Sequence, residues 1–311
     1  DHRDLHSFPT RRSSDLETPP RYFISLGAGQ HQIPVIKAAR EMGYSVIAVD
    51  QNLAAPGFEH ADIHLQCSIT RPGRIVERIQ ESFLPGSISG VGCRSFGRAN
   101  MASALIARRF GTPGIGLETL KLFKNKRKLK ERLGQAGLLV PRSYSWRNYY
   151  EKVGLRVAAL PLLIRPAIGH AKQGIALLTT EKDLLQFIEQ NSLDRQQWLV
   201  EEFIRGQEIT VMGYVQSGIY HHVCTTDKIT SDHPPLYAEV MHRYPSQIGQ
   251  NHKDAIEASM QSVVTASGMK QGPLVAEFIL GRSSNDREDK LYLIECAPEI
   301  GGEFLADYLV P

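Results

Sequence analysis

Two apolar runs near the C-terminal end, residues 274–280 and 291–296, flank a polar loop, and each carries a single acid at its centre, Glu277 and Glu295. Both runs have the length and composition of buried strands joined as a hairpin. An ionised carboxylate in such a strand is costly unless a cation meets it. If Phe278 pairs with Ile294 in an antiparallel ladder, Glu277 lies opposite Glu295, with Cβ atoms roughly 5 Å apart on one face. Like charges so placed repel. A divalent cation between them resolves the repulsion, and Mg²⁺ is commonly held by one or two carboxylates plus nucleotide phosphates. Two alternatives stay open on the residues alone: a register differing by one residue, or arginines that neutralise both acids.

Upstream, residues 21–116 alternate strand and helix. A buried strand at 22–26 leads through Gly27-Ala28-Gly29 into an amphipathic helix at 33–42 and a second strand at 46–50. Segments 63–65, 75–79, 88–91 and 99–110 continue the alternation, which predicts a small doubly wound α/β domain with parallel strands. A lysine-rich helix is expected over 120–136, ended by Gly137 and Pro141. A second α/β unit follows, with strands at 162–165, 175–178 and 198–204 and a helix at 182–190. Residues 209–215 are the expected partner of strand 198–204, and 254–267 reads as an amphipathic helix.

Residues 1–16 back-translate into a common short-read sequencing adapter and are set aside as an artefactual leader. The chain is expected to be a gene fragment whose true termini lie outside it. The remaining residues keep the net charge of +3, a balance that points to neither nucleic acid nor membrane as the main partner. With 42% hydrophobic residues the chain can bury a large core in two or three domains or subdomains. Cys67, Cys93, Cys224 and Cys296 have no metal-site spacing, which suits reduced thiols and a cytoplasmic location.

Gly27, Gly29 and Asp50 invite a nicotinamide-dinucleotide reading, but the third glycine of that fingerprint falls at Gln32. A tight strand-to-helix turn is the preferred account. Segment 164–174 places Arg165 at a strand end before a loop containing Gly169, Lys172 and Gly174. Such a loop can fold backbone N–H groups over phosphates while the cations neutralise charge. Segment 201–208 combines a strand end, the acids Glu201 and Glu202, a turn at Gly206 and Glu208, and could offer an apolar slot and a carboxylate to a nucleoside. Taken singly, a basic surface hairpin and a solvated acidic turn explain these two segments as well.

Their order is more specific. Lys126 at the head of a helix, the basic glycine loop, the 201–208 segment and finally the paired acids together resemble the ATP-grasp ligases, a superfamily that includes biotin carboxylase and carbamoyl-phosphate synthase. The resemblance implies an α/β chain with a doubly wound pre-ATP-grasp domain at 21–116 and a two-lobed α+β ATP-grasp domain at 117–311. Its lid would span about 141–200 and its central part about 201–311. It implies that Lys126 and Arg165 contact ATP phosphates, with Arg165 where the family usually has lysine. Gly169, Lys172 and Gly174 would belong to the mobile phosphate loop. Segment Glu201, Glu202, Phe203 and Ile204 would hold adenine through the backbone of Glu202 and Ile204, Glu208 would hold the ribose, and Glu277 and Glu295 would bind Mg²⁺, or Mn²⁺ in its place.

The last motif departs from the common form. Its Asn falls at Ala297 and its Arg at Glu299, which removes a metal ligand and a cation. Arg243 is the candidate replacement cation, and Glu303 matches a substrate-contacting acid in some relatives. The resulting expectation is an ADP-forming ligase that joins a small-molecule carboxylate to an amine through an acyl phosphate, with a homodimer as a candidate assembly. The rivals are a non-catalytic Mg-ATP-binding protein and a nicotinamide-dependent oxidoreductase.

Overall fold

A computed structural model describes residues 21–84, 86–95, 97–146, 160–168, 174–191, 198–231, 238–301, 305 and 307. Strands β1 (Tyr22–Leu26), β2 (Ser45–Asp50), β3 (Ile63–Gln66) and β4 (Ile88–Gly92) form a parallel sheet in the order β3-β2-β1-β4. Alternation along the strands sorts the faces. Ile24, Leu26, Ile47 and Val49 pack with helices α2 (Pro72–Ser82) and α3 (Arg98–Phe110) through Ile75, Ile79, Ala102 and Ile106. Val46, Ala48 and Phe23 pack on the other side with α1 (Ile33–Glu41) through Ile36 and Ala39. Helices on both faces make this half doubly wound.

The region expected as one helix is two, α4 (Leu117–Lys124) and α5 (Lys126–Gln135). Asn125 breaks it: its side chain accepts the Lys128 N–H at 3.1 Å as an N-cap, and the Lys126 N–H donates to the Ala167 carbonyl at 3.1 Å. The break pins the head of α5 to the end of a strand in the next sheet.

That sheet is small and antiparallel. Strands β5 (Ser143–Ser145), β6 (Leu162–Pro166), β7 (Ala176–Leu178) and β8 (Trp198–Glu202) take the order β5-β8-β6-β7 and are packed by α6 (Glu181–Gln190) through Leu184 and Phe187. The larger sheet is also antiparallel. Strands β9 (Arg205–Gln216), β10 (Ile219–Thr230), β11 (Glu239–Arg243), β12 (Gln271–Arg282) and β13 (Lys290–Ala297) lie in the order β11-β10-β9-β12-β13.

Residues 209–215 are therefore not the partner of 198–204. β8 stays in the small sheet, β9 starts the large one, and the chain crosses between them at Phe203 and Ile204. The polar stretch Arg205-Gly206-Gln207-Glu208 between the two apolar segments reads as a hairpin turn, which hid that the two strands belong to different sheets. One face of the large sheet, with Ile209, Val211, Ala276, Phe278 and Leu293, buries helix α7 (Gln250–Ser267) and the inner sides of α4 and α5. The opposite face carries Glu208, Thr210, Thr226, Lys228, Glu277 and Glu295 beside Met212, Val275 and Ile279.

Candidate active site

The acids of the terminal hairpin do face each other: Glu277 pairs with Glu295 in the β12–β13 ladder. The neighbouring pairing differs from expectation, because Phe278 lies opposite Leu293 and not Ile294. Ile294 is the extra residue of a β-bulge. The bulge keeps Leu291 and Leu293 packed on the core face while Glu295 and Glu277 share the polar face. Regular pairing would have sent Tyr292 and Ile294 to the core instead. Two further registers extend the polar row, with Glu277 next to Thr210 on β9 and Thr210 next to Thr226 on β10.

A buried chain of charge surrounds Glu295. Lys126 Nζ lies 3.0 Å from its Oε1, and Arg165 Nη1 donates to its Oε2 at 2.9 Å. Arg165 Nε donates to Glu201 Oε2 at 2.6 Å, and Lys130 Nζ donates to the other oxygen of Glu201. Lys130, Arg165 and Glu201 are all buried. Burial alone would raise the Glu295 carboxyl, but Arg165 and Lys126 outweigh it and hold it at about 2, against an ordinary 4.5. Glu201 is likewise held below the carboxylate range, burial being overcome by Arg165 and Lys130. Burial opposes the Arg165 charge, yet Glu201 and Glu295 raise its pKa and keep it a guanidinium. Arg165 Nη2 is buried without a hydrogen-bond partner among the described residues.

Glu277 is met from the other side. Lys228 of β10 donates from Nζ to Glu277 Oε1 at 2.6 Å and lies 3.5 Å from Glu208 Oε2 and 4.0 Å from Glu239 Oε2. Burial would lower the Lys228 pKa, and the three carboxylates led by Glu277 raise it instead. The acids themselves stay reachable: the Glu277 side chain is 40% and the Glu295 side chain 38% exposed. Two opposed, half-open carboxylates suit a Mg²⁺ ion that completes its octahedron with phosphate and water. Among the described residues no group of three or more His, Cys, Asp or Glu side chains forms a self-sufficient metal cage.

The structure thus joins Lys126, Arg165, Glu201 and Glu295 in one network and links Glu208 to Glu277 through Lys228. Glu202 is turned away, its carboxylate accepting from the Arg142 N–H at 2.8 Å and from its guanidinium at 2.9 Å. Phe203 and Ile204 form the crossover between the two sheets, with the Phe203 N–H donating to the Pro161 carbonyl at 3.4 Å and Ile204 buried. Gly174 takes φ of 72° just before β7, a conformation that favours glycine. Gly169, Lys172 and Glu303 lie outside the described residues.

Arg243 is not brought to the polar face. Its guanidinium holds Asp227 Oδ2 at 2.6 Å, and Asp227 pairs with Ile209, a residue of the core face. Adjacent residues on a strand point oppositely, so the same strand that aims Lys228 at the acids aims Asp227 and Arg243 away. Sequence reasoning missed Lys130 and Lys228. Lys130 had a signal, since it stands one helical turn after Lys126 on α5. Lys228 had a weaker one, standing two residues after Thr226 on the same strand and so on the same face.

The glycine turn also resolves. Asp50 Oδ2 accepts the Ala28 N–H at 3.0 Å and Oδ1 accepts the Asn52 N–H at 2.9 Å, so its carboxylate closes the local loop. Gln32 Oε1 and Cγ lie where Cβ atoms on Gly29 and Gly27 would need space, at 3.1 and 3.0 Å, and its Nε2 donates to the Arg94 carbonyl at 2.8 Å. All four cysteines are free thiols, and burial pushes Cys296, beside Glu295, up to about 12.

A doubly wound domain followed by two antiparallel sheets, with opposed acids and clustered cations at their polar face, defines an ATP-grasp architecture. Residues 158–307 match the family described as the ATP-grasp domain. Among solved structures it is similar to phosphoribosylglycinamide synthetase from Anaerococcus prevotii, at 22% identity and TM-score 0.73 over 93% of this chain and 70% of that one. It is similar to L-amino acid ligase from Bacillus licheniformis, at 22% identity and TM-score 0.73 over 94% of this chain and 70% of that one. It also resembles the biotin carboxylase domain of 2-oxoglutarate carboxylase from Hydrogenobacter thermophilus, solved with MgADP and bicarbonate, at 18% identity and TM-score 0.74 over 91% of this chain and 65% of that one. No curated protein matches the sequence. No described helix is long and apolar enough to cross a membrane.

Proposed function

We propose that the protein is an ATP- and Mg²⁺-dependent, ADP-forming ligase that joins a carboxylate to an amine through an acyl phosphate. The observation that carries this reading is the pairing of Glu277 with Glu295 on an open face, with Lys126 and Arg165 against one acid and Lys228 against the other. When bound between the two acids, Mg²⁺ supplies charge neutralisation and alignment for phosphate oxygens.

The chain's own residues do the rest. Lys126 stands at the N-terminus of α5, where its ammonium and the helix dipole both favour an anion. Arg165 fixes the orientation of Glu295, and Glu201 fixes Arg165. Phosphoryl transfer asks a protein mainly for position and charge, and this constellation supplies both. The crossover at Phe203 and Ile204 and the carboxylate of Glu208 would receive adenine and ribose. Gly169, Lys172 and Gly174 would contact the phosphates, as the resemblance to the ATP-grasp ligases implies.

The similar structures include an L-amino acid ligase and a synthetase named for a glycinamide product, so amino acids head the panel of substrates. The full chain is incubated with Mg-ATP, amino acids and small carboxylates, and ADP release is measured. Glu295→Gln should abolish ADP formation with an unchanged circular dichroism spectrum; a fully active variant refutes the assignment of Glu295. Tight Mg-ATP binding without turnover across the panel would favour a non-catalytic nucleotide-binding protein, the reading that Ala297 and Glu299 bring into play. The oxidoreductase reading loses its main support, because Asp50 is committed to its own loop.

A further inference from the structure

Lys228 is the least exposed cation of the polar face, its side chain 2% accessible, and it meets three acids from three different strands. Glu208 comes from β9, Glu239 from β11 and Glu277 from β12. Only Glu277 receives a short hydrogen bond, 2.6 Å from Nζ to Oε1. The other two carboxylates stand further off, at 3.5 and 4.0 Å, each a small side-chain movement from contact. His242 Nε2 sits 3.1 Å from Glu239 Oε1 and its Nδ1 is 2.8 Å from Thr226 Oγ1, which holds the β11 end of this cluster in place.

The charge balance is uneven. One ammonium faces three carboxylates, one of them the acid assigned to a divalent cation. Yet the ammonium occupies a lone pair of the acid that such an ion needs. An ammonium and a divalent ion at one carboxylate oxygen repel strongly.

We infer that Lys228 is a resident counter-ion of the metal site, displaced from Glu277 when a divalent cation binds and retained by Glu208 and Glu239. The inference rests on the metal-binding reading of Glu277 and Glu295. In the metal-free protein Lys228 keeps three converging acids from repelling one another and holds Glu277 in position. In the metal-bound protein the same side chain remains on the polar face, now held by the acid assigned to ribose and by Glu239. The lysine thereby couples the metal end of the site to the nucleoside end. It also restores a cation to a face whose C-terminal motif carries Glu299 where arginine is usual.

The test is Mn²⁺ binding to the full chain, followed by the electron paramagnetic resonance of the free ion, with and without ADP. Lys228→Met removes the competing charge, and its Mn²⁺ dissociation constant should fall at least about tenfold. Lys228→Arg keeps the charge and should bind within a few-fold of the unchanged protein. Because Lys228→Met leaves three converging acids without their shared ammonium and can fail to fold, a second measurement uses the unchanged sequence. The ¹⁵Nζ resonance of Lys228, assigned by its loss in Lys228→Arg, should shift on saturation with Mg²⁺ and stay put in Glu277→Gln. A folded Lys228→Met protein with unaltered Mn²⁺ affinity, or a Lys228 resonance that ignores bound Mg²⁺, overturns the exchange while leaving the metal site standing. Absence of Mn²⁺ binding both with and without ADP overturns the metal site and the exchange together.

Discussion

The two acids of the terminal hairpin sit opposite each other in very different company. Around Glu295, three cations, Lys126, Lys130 and Arg165, share two acids, and most of the network is sealed from solvent. Around Glu277, one cation, Lys228, is shared by three acids whose carboxylates are open to the cleft. One side carries surplus positive charge suited to phosphates, and the other carries surplus negative charge suited to a metal ion. The difference teaches that a nucleotide site can be prepared before ligand arrives, by distributing unlike charge surpluses a few residues apart on one sheet face.

The sharpest way to break this comparison is Glu201→Ala. The buried side has no solvent to take over, so Lys130 would be left as an uncompensated charge and Arg165 with Glu295 alone, at a cost of about 3–5 kcal/mol. Urea unfolding measures it, and a loss under about 1 kcal/mol would mean that the network is hydrated and contributes little. Acid titration comes next. Glu295 is held at about 2 against an ordinary 4.5, and Glu201 is shifted in the same direction. Below about 4.5 the unfolded chain binds protons that the folded chain refuses, so the stability due to these acids is present above that pH and is lost as pH falls toward 2. The melting temperature followed from pH 5 downward should show it, and Glu295→Gln should flatten the decline.

Arg243→Ala addresses the far side of the same sheet. Asp227 keeps Ser246 and the Gln247 N–H as partners, so the expected loss is about 1–2 kcal/mol in stability, with ADP formation unchanged. A tenfold fall in turnover at unchanged stability would restore Arg243 to the reaction face. The smallest effect belongs to Arg127→Ala, on the same helix as Lys126 and Lys130 but facing water. Its exposed i,i+4 pair with Glu131 contributes about 0.3–0.5 kcal/mol. An effect near that of Glu201→Ala would show that burial does not separate these charge pairs.

Much of this was legible in the sequence where periodicity carries the information. The alternating segments of the N-terminal half and the opposition of Glu277 to Glu295 follow from patterns local to one stretch of the chain. What stayed hidden depends on partners far apart in the chain. Lys228 reaches an acid 49 positions away and Lys130 one 71 positions away, and no local period reveals such meetings. The separation of β8 from β9 was masked because the polar residues around Gly206 read as a hairpin turn, and the place of Arg243 follows from which face Asp227 takes.

The bulge at Ile294 bears on how relatives of this chain should be compared. An ungapped threading of β13 against β12 that is anchored on Glu295 matches the acids correctly. Upstream of the acids it exchanges inside for outside, setting Ile294 and Tyr292 where Leu293 and Leu291 belong. Alignments built on this motif can therefore be right at the paired acids and wrong for the very next hydrophobic positions, and the single inserted residue is the place to put the gap.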